Sequence, residues 1–152
     1  METLIEHHGI IGVGYEGQDL SGFISNLIHR NTRVLVDIRL NPVSRKRGFS
    51  KRLLAVSLTD VGIEYRHFPE LGNPRWNREG FAGAPAEVQA ARARFKGMIG
   101  GEAPGARLDE ITSTARHGVV ALMCFEADER ACHRYVVIQE LLRHPELCSG
   151  AS

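Results

Sequence analysis

Short apolar runs alternate along the chain with longer segments whose apolar positions recur every three or four residues, the two periods of strand and helix. HHGIIGV (residues 7–13) reads as a first strand, closed by the glycines of GYEG. In DLSGFISNLIHR, Leu20, Phe23, Ile24, Leu27 and Ile28 share one helical face, and Asp19 is positioned to cap it. TRVLVDIRL (residues 32–40) is apolar on both faces through Val36, the pattern of a strand inside a parallel sheet. NPVSRKRG reads as a loop, SKRLLAVSLTDVG as a helix from a Ser50 cap to a Gly62 terminator, and IEYRHF as a third strand. Residues 69–85, rich in Gly, Pro, Asn and Arg, read as a long irregular stretch, of a kind more often functional than idle. AEVQAARARFKGMI is helical, GEAPGA breaks it, and RLDEITSTARH makes another helix. GVVALMC is a last buried strand, followed by a helix capped at Asp128 and ending near His144-Pro145.

Strands alternating with helices imply parallel pairing through right-handed crossovers. The expected architecture is a single three-layer α/β domain, residues 1–152, with a mostly parallel sheet of about four strands and helices on both faces. Ligands of such sheets bind outside the carboxyl ends of the strands. Those ends carry Gly12 and Tyr15, then Asp37 and Arg39, then Arg66 and His67, then Cys124 and Glu126.

The last of these ends opens LMCFEADERACHRYVVIQELL (residues 122–142), where four of the six residues after Cys124 are charged. A helix started by Asp128 puts Tyr135, Ile138, Leu141 and Leu142 on the core side, with Arg134 inside the same stripe. A buried arginine needs a carboxylate partner, for which Asp37 is the first candidate and Glu126 the second; the pair is either structural or catalytic. Cys132 then lies about 200° around the helix from Arg134, with His133 between. Cys132, His133 and Arg134 are therefore not expected to face one ligand. No metal and no cofactor are assigned, although Cys124, Cys132 and His133 leave thiol or metal chemistry as an alternative. Cys124 and Arg130 have the C-x5-R spacing of the phosphate loops of cysteine phosphatases and rhodaneses. The intervening FEADE, with three carboxylates and no glycine, is the wrong material for an anion cradle.

Gly12, Gly14 and Gly17 satisfy G-x-G-x-x-G after a strand, and Asp37 follows at the distance of a ribose-binding acid. The third glycine, however, precedes the Asp19 cap instead of lying in the helix, so a flexible turn is the better reading. Between residues 39 and 52 stand six basic residues, among them Arg39 and Arg45, and no acid occurs from residue 38 to 59. Ser44, Arg45 and the following helix start suit a phosphate, and Trp76 among Arg75 and Arg78 offers a stacking surface. Tyr65 and His67 share a strand face, and Glu70 lies just beyond, forming either an acid–base pair or a loop anchor.

Composition narrows the picture by exclusion. At 43% hydrophobic, 24% charged and net charge +1, global charge suggests no partner. No apolar run approaches the roughly 18–20 residues of a membrane span, and the start lacks a signal-peptide pattern, so a cytoplasmic protein with no membrane partner is expected. Three cysteines fit a reducing compartment.

Ile11-Gly12, LVDIRLNPVSR, GIEYRHFPELG and ALMCFEADERACHR, in that order and spacing, resemble the family known as domain of unknown function 488. The family pattern usually has Pro where Glu129 stands, and includes Gly12 but not the other two glycines or Arg130. The resemblance implies a small cytoplasmic α/β protein of bacterial or archaeal type and supplies no reaction. The residues themselves suggest an enzyme acting on a phosphate-bearing substrate such as a nucleotide or nucleic acid. Arg39, Ser44 and Arg45 would hold phosphate, Asp37 and Arg134 would floor the pocket, and Gly12, Tyr15, Tyr65 and Trp76 would help seat the ligand. Glu126, His67 or Glu70 would move protons, with Cys124 or His133 as alternate nucleophile or base. The alternative is a non-catalytic nucleic-acid-binding module.

Overall fold

A computed structural model describes residues 9–143. Four strands, β1 (Ile10–Gly14), β2 (Thr32–Asp37), β3 (Glu64–His67) and β4 (Val119–Cys124), form one sheet in the order β1-β4-β2-β3. All three pairings are parallel. Six α-helices accompany them: α1 (Leu20–His29), α2 (Lys51–Asp60), α3 (Arg75–Arg78), α4 (Pro85–Met98), α5 (Glu102–Ala115) and α6 (Arg134–Leu142).

Alternation along the central strands feeds two cores. Val34, Val36, Val120, Leu122 and Cys124 face one side with Phe95 of α4, Ile111 of α5 and Ile138 of α6. Leu35, Ala121 and Met123 face the other with Phe23 and Leu27 of α1 and Leu54 and Leu58 of α2. Burial on both faces is why β2 and β4 read as unbroken apolar runs. The expected α/β domain with helices on both faces is what the chain forms. Among the described residues no helix is long and apolar enough to cross a membrane.

The topology opens a crevice. The helices that follow β1 and β2 lie on one face, whereas α6, following β4 between those two strands, lies on the other. Chain leaving neighbouring strand ends in opposite directions leaves a gap beyond the carboxyl end of β4.

Several boundaries differ from the sequence expectation. His7 and His8, assigned to the first strand, and His144, near the expected end of the last helix, lie outside the described residues. GEAPGA supplies the first turn of α5, since proline in a first turn gives up no helical hydrogen bond. Residues 69–85 are wound instead of irregular: 3-10 turns at Pro69–Leu71 and Glu79–Ala82 flank α3. Their anchor is the fully buried Asn77, whose amide donates to Asn73 Oδ1 (3.0 Å) and the Ala91 carbonyl (3.1 Å) and accepts from Arg94 (2.8 Å). The largest difference follows β4. Asp128 caps a 3-10 turn (Glu129–Ala131) by accepting from the Arg130 N–H, Cys132 is extended, and α6 starts only at Arg134.

Candidate functional site

That late helix start decides the site. With Cys132 at φ −136° and ψ 146°, the 100° helical step does not apply across residues 132–134. Cys132, His133 and Arg134, expected to diverge, are all buried and all converge on Cys124. Arg134 Nη1 donates to Cys124 Sγ at 3.0 Å, and the Arg134 backbone N–H reaches Cys132 Sγ at 3.4 Å. Cys132 Sγ lies 3.6 Å from His133 Nδ1. The two cysteines are joined as a disulfide, with Cα atoms 7.5 Å apart.

Arg134 is the largest of the fully buried side chains. Its carboxylate partner is neither Asp37 nor Glu126 but Glu129, at 3.5 Å from Nε, a charge pair without hydrogen-bond geometry. The remaining guanidinium bonds go to backbone, Nη1 to the Val13 carbonyl (2.8 Å) and Nη2 to the Glu126 carbonyl (3.1 Å). Arg134 therefore ties the ends of β1 and β4 to α6. Burial raises the Glu129 carboxyl and lowers the guanidinium, each opposed by the charge of its neighbour. Gly12 makes the room, because a Cβ there would collide with Glu129 Oε1 and the Arg134 side chain. A Cβ on Gly14 would overlap the Glu126 carbonyl. Two of the fingerprint glycines thus admit protein, not a pyrophosphate, while Gly17 supplies a left-handed turn at φ +78°. Lys46 Nζ closes this loop from outside on the Tyr15 and Gln18 carbonyls (3.1 and 2.8 Å).

Asp37 has other work. Its carboxylate accepts both Nε (2.9 Å) and Nη2 (2.7 Å) of Arg39, two residues along, and the Tyr65 hydroxyl at 2.6 Å. Arg39 adds a bond to the Tyr15 hydroxyl (3.1 Å). The carboxylate holds Arg39 firmly protonated against burial, and burial beside Asp37 holds Tyr65 firmly neutral. Arg39, expected to hold phosphate, has its charge compensated, and Asp37 is unavailable to a ribose.

The crevice encloses about 100 Å³ beyond β4. Its floor is Cys124, Cys132 and His133; Arg39 and Tyr15 form one wall, Asn73, Arg78 and Phe81 another, with Asn41, Phe125 and Glu126 at the mouth. His133 Nε2 donates to the Ile38 carbonyl at 2.8 Å, which leaves Nδ1 unprotonated and aimed at the sulfurs. Full burial pushes His133 down to about 4, so the ring is neutral near pH 7.

Other expected site residues stand elsewhere. Ser44 Oγ accepts from the Lys46 N–H (3.1 Å) and the Ser44 N–H donates to Ser50 Oγ (3.0 Å), so this loop is self-satisfied, and Arg45 is exposed outside the crevice. His67 Nε2 donates to the Arg39 carbonyl (2.8 Å), and Glu70 pairs with Arg107 (3.2 Å), so the acid–base pair does not form. Trp76 is 67% exposed and lines no part of the crevice. Arg130 is turned to Asp128, away from Cys124. Conversely nothing in the sequence marks Asn41 or Asn73, Glu129 stands out only as a departure from the family's Pro, and Arg78 and Phe81 read only as part of an outer, stackable surface. No motif spacing links them to Cys124; the fold alone brings them there.

Three comparisons bear on identity. No curated protein and no solved structure matches the chain. A family match, by contrast, spans residues 19–141, well over half the chain, from the start of α1 to within one residue of the end of α6. The protein belongs to the family described as Domain of unknown function DUF488.

Proposed function

We propose that the protein is an enzyme that draws a phosphate-sized anionic group of its substrate into the crevice beyond β4. A cavity of about 100 Å³ accepts such a group or a few waters, not a whole nucleotide, so a nucleotide or nucleic-acid end would enter by one group alone. The observation that carries this reading is Arg78. Only its Nε is engaged, weakly, on the Asn73 carbonyl at 3.3 Å, and among the described residues no carboxylate pairs with it. An arginine with free terminal N–H groups, beside the amides of Asn41 and Asn73, supports recognition of an oxyanion. Glu126, which lines the crevice, is the candidate proton carrier, and Cys124 on the floor is the candidate reacting residue, with the Arg134 guanidinium favouring its thiolate when reduced.

Calorimetry with inorganic phosphate and nucleoside monophosphates tests it. Arg78→Ala is expected to weaken binding at least about tenfold, the scale of one lost charge-assisted bond. Arg45→Ala, outside the crevice, should leave it unchanged. Equal loss from both variants, or from neither, would reject the assignment. A second reading, a nucleic-acid-binding face, is favoured by the exposed Trp76 beside Arg75. It predicts salt-dependent oligonucleotide binding that falls with Trp76→Ala and is indifferent to Arg78→Ala.

A further inference from the structure

We propose that Cys124, Cys132 and His133 form a site for a thiophilic divalent metal ion, zinc in chemical class, with one coordination position open to the crevice. The site stands on its own ligand set and does not depend on which substrate the crevice accepts. The two Sγ atoms and the imidazole nitrogen all lie within 4.8 Å of one another, and the Cys132–His133 pair is at 3.6 Å. Zinc bonds of about 2.3 Å to sulfur and about 2.0 Å to nitrogen place tetrahedral ligands about 3.3–3.8 Å apart, a spacing the Cys132–His133 pair already has. The two sulfurs, bonded to each other in the structure, must part to that spacing once reduced.

The surroundings are those of ligands. A metal-bound histidine is normally fixed by a hydrogen bond from its other ring nitrogen, and His133 Nε2 makes that bond to the Ile38 carbonyl. The free Nδ1 lone pair is thereby turned to the two sulfurs. Each sulfur also receives an N–H from Arg134, one from the guanidinium and one from the backbone, as a thiolate ligand would. Two thiolates balance the charge of a divalent ion, and Arg134 is balanced by Glu129. A disulfide alone uses the two cysteines and leaves this aimed imidazole without a purpose. The Cys124 and Cys132 Cα atoms, 7.5 Å apart, are also spaced more widely than the roughly 4.4–6.8 Å usual for disulfide-linked cysteines. An ion between the sulfurs suits that spacing. All three residues line the crevice, so three protein ligands with the remaining position open is the arrangement of catalytic zinc sites. Binding proceeds from the reduced pair: both thiol protons pass to solvent as the two S–metal bonds form, with no change in oxidation state.

The test uses the full chain, reduced with a phosphine under nitrogen, freed of metal and titrated with cobalt(II). The expected result is uptake of one equivalent, with a thiolate-to-cobalt charge-transfer band and the intense visible bands of tetrahedral cobalt, both bleached by added zinc. Zinc should also slow alkylation of Cys124 and Cys132 in the reduced chain. Cys124→Ser, Cys132→Ser and His133→Ala should each weaken cobalt binding at least about tenfold, with circular dichroism confirming the fold, whereas Cys148→Ser should not. A reduced wild-type chain that takes up neither cobalt nor zinc would overturn the proposal, without need of any variant. So would tight binding that survives both Cys132→Ser and His133→Ala, or that is lost in Cys148→Ser.

Discussion

The Asp37–Arg39 pair is the strongest commitment made by single residues. Both side chains are almost wholly buried, at 0% and 6% exposure. Removing one charge of such a pair strands the other, so Asp37→Asn is expected to lower unfolding free energy by about 3–5 kcal/mol. Tyr65→Phe deletes one bond to the same carboxylate and should cost about 1–2 kcal/mol. Urea denaturation of both variants and the double variant measures the difference, and a coupling near zero would show that the three groups do not act together. His133 sets a pH dependence in the metal-free protein. Its folded value, about 4, lies below the unfolded value of about 6.5, so only the unfolded chain gains a proton between them. Stability is full above about pH 6.5 and falls on acidification toward pH 4, by on the order of 3 kcal/mol. His133→Gln should abolish that acid dependence, so wild type and variant should differ in slope between about pH 4 and 6.5, read from denaturation midpoints at successive pH values.

At the scale of elements, the connection from β4 to α6 separates what the sequence disclosed from what it hid. Asp19 caps α1 as its position before an amphipathic run suggests, donating nothing and accepting the Gly22 N–H at 2.8 Å. Asp128 gives the same signal before another apolar run, yet it caps a 3-10 turn, and two more residues pass before α6 begins. A capping residue marks where a helical turn starts, not whether the turn continues. The extension of Cys132 reversed the inference that Cys132, His133 and Arg134 diverge. The strands were legible because both faces of β2 and β4 are apolar, and Asn77 was illegible because a buried amide looks like any loop asparagine. Gly14 offers a test of how tightly this connection docks. Gly14→Ala forces a methyl against the Glu126 backbone and should cost more than Gly17→Ala, which meets no neighbour and strains only its left-handed φ, by about 1 kcal/mol. Thermal unfolding of the pair ranks them, and equal costs would mean the β1 and β4 ends are not in close contact.

Over the whole molecule the two cores serve different ends. Both faces of the sheet are sealed, so either core supports stability: Leu58 beneath α2 and Phe95 on α4 are each 0% exposed. Leu58→Ala and Phe95→Ala are accordingly expected to cost about 2–5 and about 3–5 kcal/mol. The crevice floor, however, belongs to one layer. Cys124 and Cys132 are members of the core that holds Phe95, and the Phe95 ring packs edge-on against His133 with centroids 5.2 Å apart. Leu58 lies across the sheet, in the core of α1 and α2. Loss of the Phe95 ring frees the imidazole to turn, whereas loss of Leu58 leaves a cavity on the far side of the strands. Phe95→Ala should therefore weaken cobalt binding by the reduced chain at a temperature where both variants remain folded, and Leu58→Ala should not. Equal weakening by two variants of matched stability would mean that metal affinity follows global stability, and that the α4–α6 layer does not hold the ligands in position.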